Sequence, residues 1–230
     1  MQKTVIITGA AGNLGAAVTQ EFLSKDYQVL ATVSNAKSIN SVSAHVNLEV
    51  VAVNLINEEE TSGFVQQAIA KYKTIDAALL LAGGFAAGNI ENTSGTDLLK
   101  QYSLNFSTSY FVARPLFAHM MKNNSGRIVF IGSRPALEAK RGKDAMGYAL
   151  SKSLLFRLAE FLNEEAKGKD VTCTVIAPGT IDTPENRRSM PDANFGTWVK
   201  PGQIAELLEI ICSEKGLPLR ETVLKVYGNG

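Results

Sequence analysis

The sequence predicts an α/β fold: a single domain built on a doubly wound parallel sheet of about seven strands, with helices on both faces. Short runs rich in β-branched residues alternate with longer helical patterns along all 230 residues, which is typical of this class. Several of the short runs are almost continuously apolar, as expected for strands that are covered on both faces. Neither an internal repeat nor a linker divides the chain. We therefore expect residues 1–230 to form one domain.

The predicted elements follow from these two patterns. The strands are 4–8, 28–33, 48–53, 77–81, 127–131, 172–177 and 222–226. The helices are 13–24, 58–71, 96–122, 147–167 and 202–213, with a weak candidate at 35–44. Pro115 is expected either to kink helix 96–122 or to mark a break in it, because proline lacks the amide that an interior helical position donates.

Composition excludes several classes of function. A net charge of +1 provides no basic field for nucleic acid or anionic lipid, and no apolar stretch reaches the ~20 residues of a membrane span. The N-terminus has no signal-peptide pattern. Cys173 and Cys212 lack motif spacing, which indicates reduced thiols, and the two histidines form no metal-ligand cluster. We expect a cytoplasmic protein without a metal, with a small-molecule substrate and neither a nucleic-acid nor a membrane partner.

A glycine-rich turn follows the first predicted strand and leads into a helix. It reads Thr-Gly-Ala-Ala-Gly-Asn-Leu-Gly from residue 8 to residue 15. Glycines allow the backbone to turn tightly and to approach a pyrophosphate, which binds at the N-terminus of the helix. The spacing differs from the G-x-G-x-x-G template, and a plain glycine-rich turn is the alternative. In this context we expect a Rossmann domain that binds NAD(P) through Gly9, Gly12, Asn13, Leu14 and Gly15.

The end of the second predicted strand bears on the choice of cofactor. A fold that prefers NAD usually places an acidic residue here to bind the 2′-hydroxyl of the ribose. This chain has Val33 and Ser34 instead, followed by Asn35 and Lys37, which can bond a 2′-phosphate. The absence of an arginine limits the preference, so we expect NADP(H) to be only modestly favoured over NAD(H).

Tyr148 and Lys152 are the candidate catalytic pair. Residues at i and i+4 share a helix face, and a cation beside a phenol is expected to lower the phenol's pKa toward the working range. Ser133 follows the fifth strand, whose carboxyl end faces the ligand crevice. Asn105 lies inside helix 96–122. A lone Ser or Asn is usually a polar residue with satisfied hydrogen bonds, so these two gain weight only as part of the set.

The fourth predicted strand is followed by Ala82, Gly83 and Gly84, where small residues let a ligand lie against bare backbone, although a simple turn explains them equally well. Together, the order of these motifs along the chain, with Pro178-Gly179 and Thr183 after them, resembles the short-chain dehydrogenase/reductase family.

The resemblance implies roles for the residues that carry it. Tyr148 is then the acid, Lys152 holds the nicotinamide ribose and tunes the tyrosine, Ser133 orients the substrate, and Asn105 supports a water chain behind Lys152. The resemblance also implies a homodimer or homotetramer formed through helices 96–122 and 147–167. The further cofactor contacts that it implies are Val33, Ser34, Asn54, Leu55, Ala82, Gly83, Gly84, Pro178, Gly179, Ile181 and Thr183.

Within that family, stretches 82–89 and 182–198 are similar to the dihydropteridine reductase group. This similarity implies hydride transfer to a C=N or C=O group. Three features depart from that group: Val33 replaces an Asp, Phe85 replaces a Trp, and both Ser133 and Asn105 are present. The substrate contacts that we expect are Phe85, Arg134, Asn186, Met190 and Trp198.

Two other interpretations stay open. One is a general carbonyl or 3-oxoacyl-type short-chain reductase. The other is a non-catalytic NAD(P)-sensing protein, since a fold does not by itself imply catalysis. Segment 178–200, inserted after the sixth strand, shows no regular pattern and is expected to be a substrate loop that covers a ligand.

Overall fold

The computed structural model describes residues 2–229, and it has the predicted sheet. Seven strands, all parallel, form one sheet in the order β3-β2-β1-β4-β5-β6-β7. The strands are β1 Thr4–Thr8, β2 Gln28–Val33, β3 Leu48–Ala52, β4 Ala77–Leu80, β5 Ser125–Ile131, β6 Asp170–Pro178 and β7 Val223–Val226. The strand order reverses direction between β1 and β4, and ligands of open α/β sheets bind at the carboxyl ends beside such a reversal.

Helices cover both faces of the sheet. They are α1 Asn13–Ser24, α2 Glu58–Tyr72, α3 Gly95–Tyr102, α4 Thr108–Asn123, α5 Ala139–Gly142, α6 Met146–Glu165, α7 Pro184–Ser189 and α8 Pro201–Cys212. On one face, Phe64 of α2, Leu116 of α4 and Phe156 of α6 belong to a single buried cluster. On the other face, Phe22 of α1 and Leu208 of α8 belong to a second cluster. The apolar strands are thus buried on both sides, which confirms the doubly wound fold.

The predicted helix 96–122 contains an irregularity away from its proline. α4 runs through Pro115 without a break, so the expectation that Pro115 marks a break in this helix is excluded. The regular pattern is interrupted earlier, by a π-helical turn at Ser103–Ser107 between α3 and α4. Asn105 lies inside this turn and is fully buried. Single π turns within α-helices are often found at functional sites.

Segment 178–200 is more regular than its sequence suggests. It contains α7 and a 3₁₀ turn at Phe195–Thr197, where no regular structure was expected. The local cause is N-capping. The Thr183 hydroxyl accepts a hydrogen bond from the Asn186 amide, and a proline follows at the first helical position. A helix this short carries too little periodicity to be recognised from sequence.

We expect Gly15→Ala to destabilise the fold, because a Cβ at this position of α1 would lie 2.1 Å from the Gly9 carbonyl oxygen. A steric conflict with backbone costs about 1–3 kcal/mol. The matched control is Gly63→Ala in α2, where an added Cβ meets nothing within 4 Å and should stabilise by about 0.5–1 kcal/mol through helix propensity. Urea unfolding measures both variants. Equal effects of the two alanines would show that the turn has room for a side chain.

Candidate active site

The glycine turn packs against the end of β4. Gly9 has a φ of +72°, and a Cβ there would lie 3.2 Å from the Ala82 Cα. The Ala82 amide donates to the Thr8 hydroxyl oxygen at 3.1 Å, which ties the ends of β1 and β4 together. Gly12 and Asn13 are exposed at the start of α1, and no side chain among the described residues caps this helix. Unpaired amides at a helix N-terminus bind phosphate groups.

The ends of β2 and β3 supply the residues that were expected to set cofactor preference. Val33 is buried, whereas Ser34 is exposed. Asn35 is engaged within the chain, because its Oδ1 accepts from the Ser38 amide at 3.1 Å and its Nδ2 donates to the Ser34 Oγ at 3.1 Å. Asn54 is exposed and Leu55 is buried beside it.

Lys152 is buried at the carboxyl ends of the central strands. Only 4% of it is exposed, and its Nζ donates to the Ile131 carbonyl oxygen, at the end of β5, over 2.7 Å. Burial lowers the pKa of Lys152 to about 8, because desolvation disfavours the charged form. A Cβ on Gly83 would lie 3.1 Å from this Nζ and 2.6 Å from the Asn105 Oδ1. Because Gly83 has no side chain, Lys152 and Asn105 can approach the backbone after β4.

Asn105 holds the loop after β4 in place. Its Oδ1 accepts from the Gly84 amide at 2.9 Å and its Nδ2 donates to the Gly84 carbonyl at 3.0 Å. The same Nδ2 also donates to the Gln101 Oε1 at 3.0 Å and to the Ser151 Oγ at 3.3 Å. Asn105 thus connects β4, the π turn and α6.

Tyr148 and Ser133 meet as the sequence predicted, but the pKa of the phenol moves in the other direction. Burial raises the pKa of Tyr148, and a hydrogen bond with the Ser133 side chain, which lowers it, does not outweigh the burial. The expectation that Lys152 lowers this pKa is wrong for this structure, because desolvation dominates and the ammonium is bonded to Ile131. The phenol accordingly keeps its proton at neutral pH.

Among the expected substrate residues, Phe85 makes a direct ring contact with Tyr148. Its ring centroid is 5.1 Å from that of Tyr148, in an edge-to-face arrangement, and 67% of the residue is exposed. Arg134 follows Ser133 and binds the Glu138 carboxylate through Nε at 2.9 Å, with its guanidinium 4.4 Å from the Tyr227 ring centroid.

The other expected substrate residues lie on segment 178–200. The Asn186 Nδ2 donates to the Ile181 carbonyl at 2.8 Å, so this amide holds the segment's own backbone. Met190 is 40% exposed. Trp198 packs on Phe195 with ring centroids 4.8 Å apart. Pro178 is buried at the end of β6, while Gly179 bonds back to Val226 through its amide at 2.8 Å.

Sequence reasoning missed Gln101 and Thr8. Gln101 is only 5% exposed and accepts the Asn105 amide. Its place four residues before Asn105, on the same helix face, is a signal that was present in the sequence. Thr8 is 1% exposed and accepts a hydrogen bond from the Ala82 amide, two residues after β4, a contact between distant segments that only the sheet order reveals.

The family assignment rests on a match along most of the chain. The family model described as short chain dehydrogenase matches residues 3–194, and this span contains the glycine turn, Asn105, Ser133, Tyr148 and Lys152. The chain belongs to the short-chain dehydrogenase/reductase family. It is an NAD(P)-dependent oxidoreductase.

Similar proteins cover nearly the whole chain at low identity. An acetoacetyl-CoA reductase of Acinetobacter sp. (strain RA3849) is 24% identical over 242 residues, covering 99% of this chain and 97% of the relative. A dihydropteridine reductase of Dictyostelium discoideum is 29% identical over 216 residues, covering 90% of this chain and 87% of the relative.

Solved structures confirm the fold. ElxO with NADP bound superposes with a TM-score of 0.90 at 22% identity, covering 99% of this chain and 98% of that one. The 3-ketoacyl-(acyl-carrier-protein) reductase from Brucella melitensis complexed with NADH gives a TM-score of 0.86 at 20% identity, covering 98% of this chain and 97% of that one. Among residues 2–229, no helix is long and apolar enough to span a membrane.

We expect Lys152→Met to stabilise the protein at neutral pH. The folded pKa of about 8 lies below the ordinary lysine value of 10.5, so the unfolded chain binds more protons between these pH values. The penalty for the buried cation is therefore complete below about pH 8 and fades as the pH rises toward 10.5. After the lost hydrogen bond to Ile131 is subtracted, the free energy of unfolding of the variant should exceed that of wild type by about 2 kcal/mol at pH 7. This gain should shrink by pH 9.5.

Urea unfolding at the two pH values measures this difference. Lys169→Met, at an exposed lysine, is the control and should show no such change. A difference between Lys152→Met and wild type that stayed constant from pH 7 to pH 9.5 would mean that Lys152 does not titrate in this range.

Proposed function

We propose that this protein reduces a flat quinonoid compound of the dihydropterin class at a C=N or C=O group, using a nicotinamide cofactor. The observation that carries the proposal is the exposed ring of Phe85, which lies edge-on against Tyr148. An exposed aromatic face beside a proton donor favours a planar ring as substrate, because aromatic rings pair in offset or edge-to-face arrangements. The dihydropteridine reductase relative, 29% identical over 216 residues, supports the same class.

The residues that would hold the cofactor fit it. The exposed glycine turn and the uncapped start of α1 offer backbone amides where a pyrophosphate would bind, and Gly83 is a proposed contact beside them. When bound, the nicotinamide supplies a hydride. The contacts proposed at the other strand ends are Val33, Ser34, Asn54, Leu55, Ala82, Gly84, Pro178, Gly179, Ile181 and Thr183.

The chain's own residues supply the proton. Tyr148 is the proposed acid: burial raises its pKa, so the hydroxyl enters the reaction protonated. The Ser133 side chain bonds this hydroxyl and orients the acceptor group. Lys152, whose pKa is lowered to about 8 by burial, stays largely cationic at neutral pH and opposes the negative charge that develops on the phenol.

We further propose a preference for NADP(H). Val33 presents no carboxylate to a 2′-phosphate, and the neighbouring Ser34 hydroxyl is exposed. The engagement of Asn35 with Ser34 and Ser38 leaves Ser34 and Lys37 as the groups available to bond the phosphate.

A second candidate is a general carbonyl or 3-oxoacyl-type reductase. It is favoured by the presence of Ser133 and Asn105 together with the Tyr-Lys pair, and by the acetoacetyl-CoA reductase relative. A non-catalytic sensor is disfavoured, because a sensor has no need to retain the proton donor.

Self-association through α3, α4 and α6 completes the proposal. Leu99 on α3 is 66% exposed and Phe161 on α6 is 63% exposed, with Leu150 and Leu154 partly exposed between them. Apolar surface of this kind marks a contact face. A homodimer or homotetramer would bury this surface.

We also propose a cytoplasmic location, which agrees with two reduced, buried cysteines.

The test is cofactor oxidation with a quinonoid dihydropterin beside a panel of aldehydes, ketones and 3-oxoacyl thioesters. We expect the dihydropterin to give the highest kcat/KM. Tyr148→Phe should retain cofactor binding but lose about 10²–10⁴-fold in kcat, because only the proton donor is removed. Preferred turnover of a thioester would favour the second candidate, and near wild-type kcat in Tyr148→Phe would show that another group is the acid.

We expect Val33→Asp to shift the preference toward NADH. The new carboxylate can bond the 2′-hydroxyl and would repel a 2′-phosphate. Hydrogen bonds to charged groups contribute about 1.5–3 kcal/mol, or roughly ten- to a hundredfold. The measurement is the ratio of kcat/KM for NADPH and NADH in wild type and variant, which cancels any general loss of activity. A wild type that strongly prefers NADH would contradict the proposed preference.

A further inference from the structure

A cavity of about 260 Å³ lies against Tyr148, on the side that faces α3. Ala86 and Ala87, which directly follow Phe85, form part of its wall, and so does Gly147 at the start of α6. The cavity therefore adjoins the position proposed for the reducible ring. Its volume is below the ~300–1,000 Å³ of sites that hold a whole small-molecule ligand, so it suits one substituent.

The polar lining of this cavity includes an oriented amide. Gly84 fixes the Asn105 amide from two sides, through its own N–H and C=O. Asn105 Nδ2 therefore points its hydrogen at the Gln101 Oε1, 3.0 Å away. Because that oxygen is the acceptor of the Gln101 amide, Nε2 is the donor that remains. Gln101 lines the cavity although it is 95% buried.

The charged groups of the lining have different roles. The Asp97 carboxylate accepts from the Ser94 hydroxyl at 2.6 Å and from the Ser94 amide at 3.2 Å, completing the capping box of α3. These bonds lower the pKa of Asp97, so it is an anionic cap with its hydrogen bonds already made. Lys100, one turn after Asp97, adds an ammonium donor at the cavity wall. The hydrogen-bond donors that remain for a ligand are the Gln101 amide and the Lys100 ammonium. They would pair with hydroxyl or carbonyl oxygens of that ligand.

Gly147 provides the space for this cavity. A Cβ on Gly147 would lie 3.4 Å from both the Gln101 Cγ and the Thr93 Cγ2. These are ordinary contacts, so an alanine fits the helix but occupies room between two lining residues.

We propose that this cavity is a subsite for a hydroxylated side chain of the substrate, with the Gln101 amide and the Lys100 ammonium as hydrogen-bond donors. The inference rests on the proposed function in one respect: the ring that carries the side chain lies beside Phe85 and Tyr148. The side chain would then extend past Ala86 and Ala87 toward α3.

The test uses two fully oxidised pterins that the enzyme cannot turn over by the proposed reaction, one with a 1,2-dihydroxypropyl group and one with a methyl group at the same ring position. Calorimetric titration into the protein saturated with oxidised cofactor gives their affinities. Wild type should bind the dihydroxypropyl pterin about three- to tenfold more tightly, the value of one net hydrogen bond. Gly147→Ala and Gln101→Met should each remove this preference, and Gly147→Ala, which breaks none of the amide hydrogen bonds, should leave the affinity for methylpterin unchanged.

Gly63→Ala is the matched control, since it makes the same helical change where the added Cβ meets nothing within 4 Å, and it should keep the preference. Equal affinity for the two pterins in wild type, failure of both to bind, or a preference that survives in both cavity variants would overturn the subsite. If quinonoid dihydropterins are not reduced but the binding preference and its loss are observed, the proposed reaction fails and the subsite stands.

Discussion

The burial of the Lys152 ammonium is the constraint on which the arrangement of the site depends. A buried cation is costly unless it is bonded, and here the end of β5 supplies the Ile131 carbonyl at 2.7 Å. The loop that follows the neighbouring strand must then carry a residue without a side chain at Gly83, because a Cβ there would lie 3.1 Å from the same Nζ. Since β4 and β5 are adjacent in the sheet, one lysine on α6 fixes the backbone at two strand ends. The hydrogen bond does not fully compensate for the loss of water around the ammonium, so the pKa of Lys152 is lowered.

The π turn extends this arrangement to α3. An extra residue in one helical turn changes the direction of the side chains that follow, and Asn105 in this turn reaches the backbone after β4 with both ends of its amide. Its third strong partner, Gln101, lies one turn earlier on the same helix. Asn105 and the cavity residue Gln101 are therefore connected by one amide–amide hydrogen bond. A change at Gln101 is transmitted to Asn105, whereas a change at Gly147 alters the cavity without breaking any of these bonds.

The sequence was sufficient to predict the sheet and to select residues that the structure brings together at its carboxyl edge, because both depend on local signals. β1 and β2 have the predicted bounds, since each is a short apolar run with turn-forming residues close to its ends. Position within the fold decided the rest. Tyr148 and Lys152 share a helix face as predicted, yet the pKa of the phenol is raised, because burial depends on neighbours that are distant in sequence. The break in helix 96–122 likewise falls at Asn105, where the cause is tertiary, and leaves Pro115 inside a continuous helix.

Segment 178–200 shows how a loop without sequence periodicity becomes ordered. Its two ends pair, with the Asp182 amide donating to the Val199 carbonyl at 2.8 Å. Between them, Arg187 binds the Asp182 carboxylate at 2.6 and 2.8 Å and lies 4.6 Å from the Phe195 ring centroid. The segment is thus bonded mainly to itself, and it emerges from the carboxyl end of β6, beside the site. Val199 is buried in the core, and the Thr197 carbonyl accepts from the Asn229 amide at 3.2 Å, so the second end of the segment is fixed to the body of the protein.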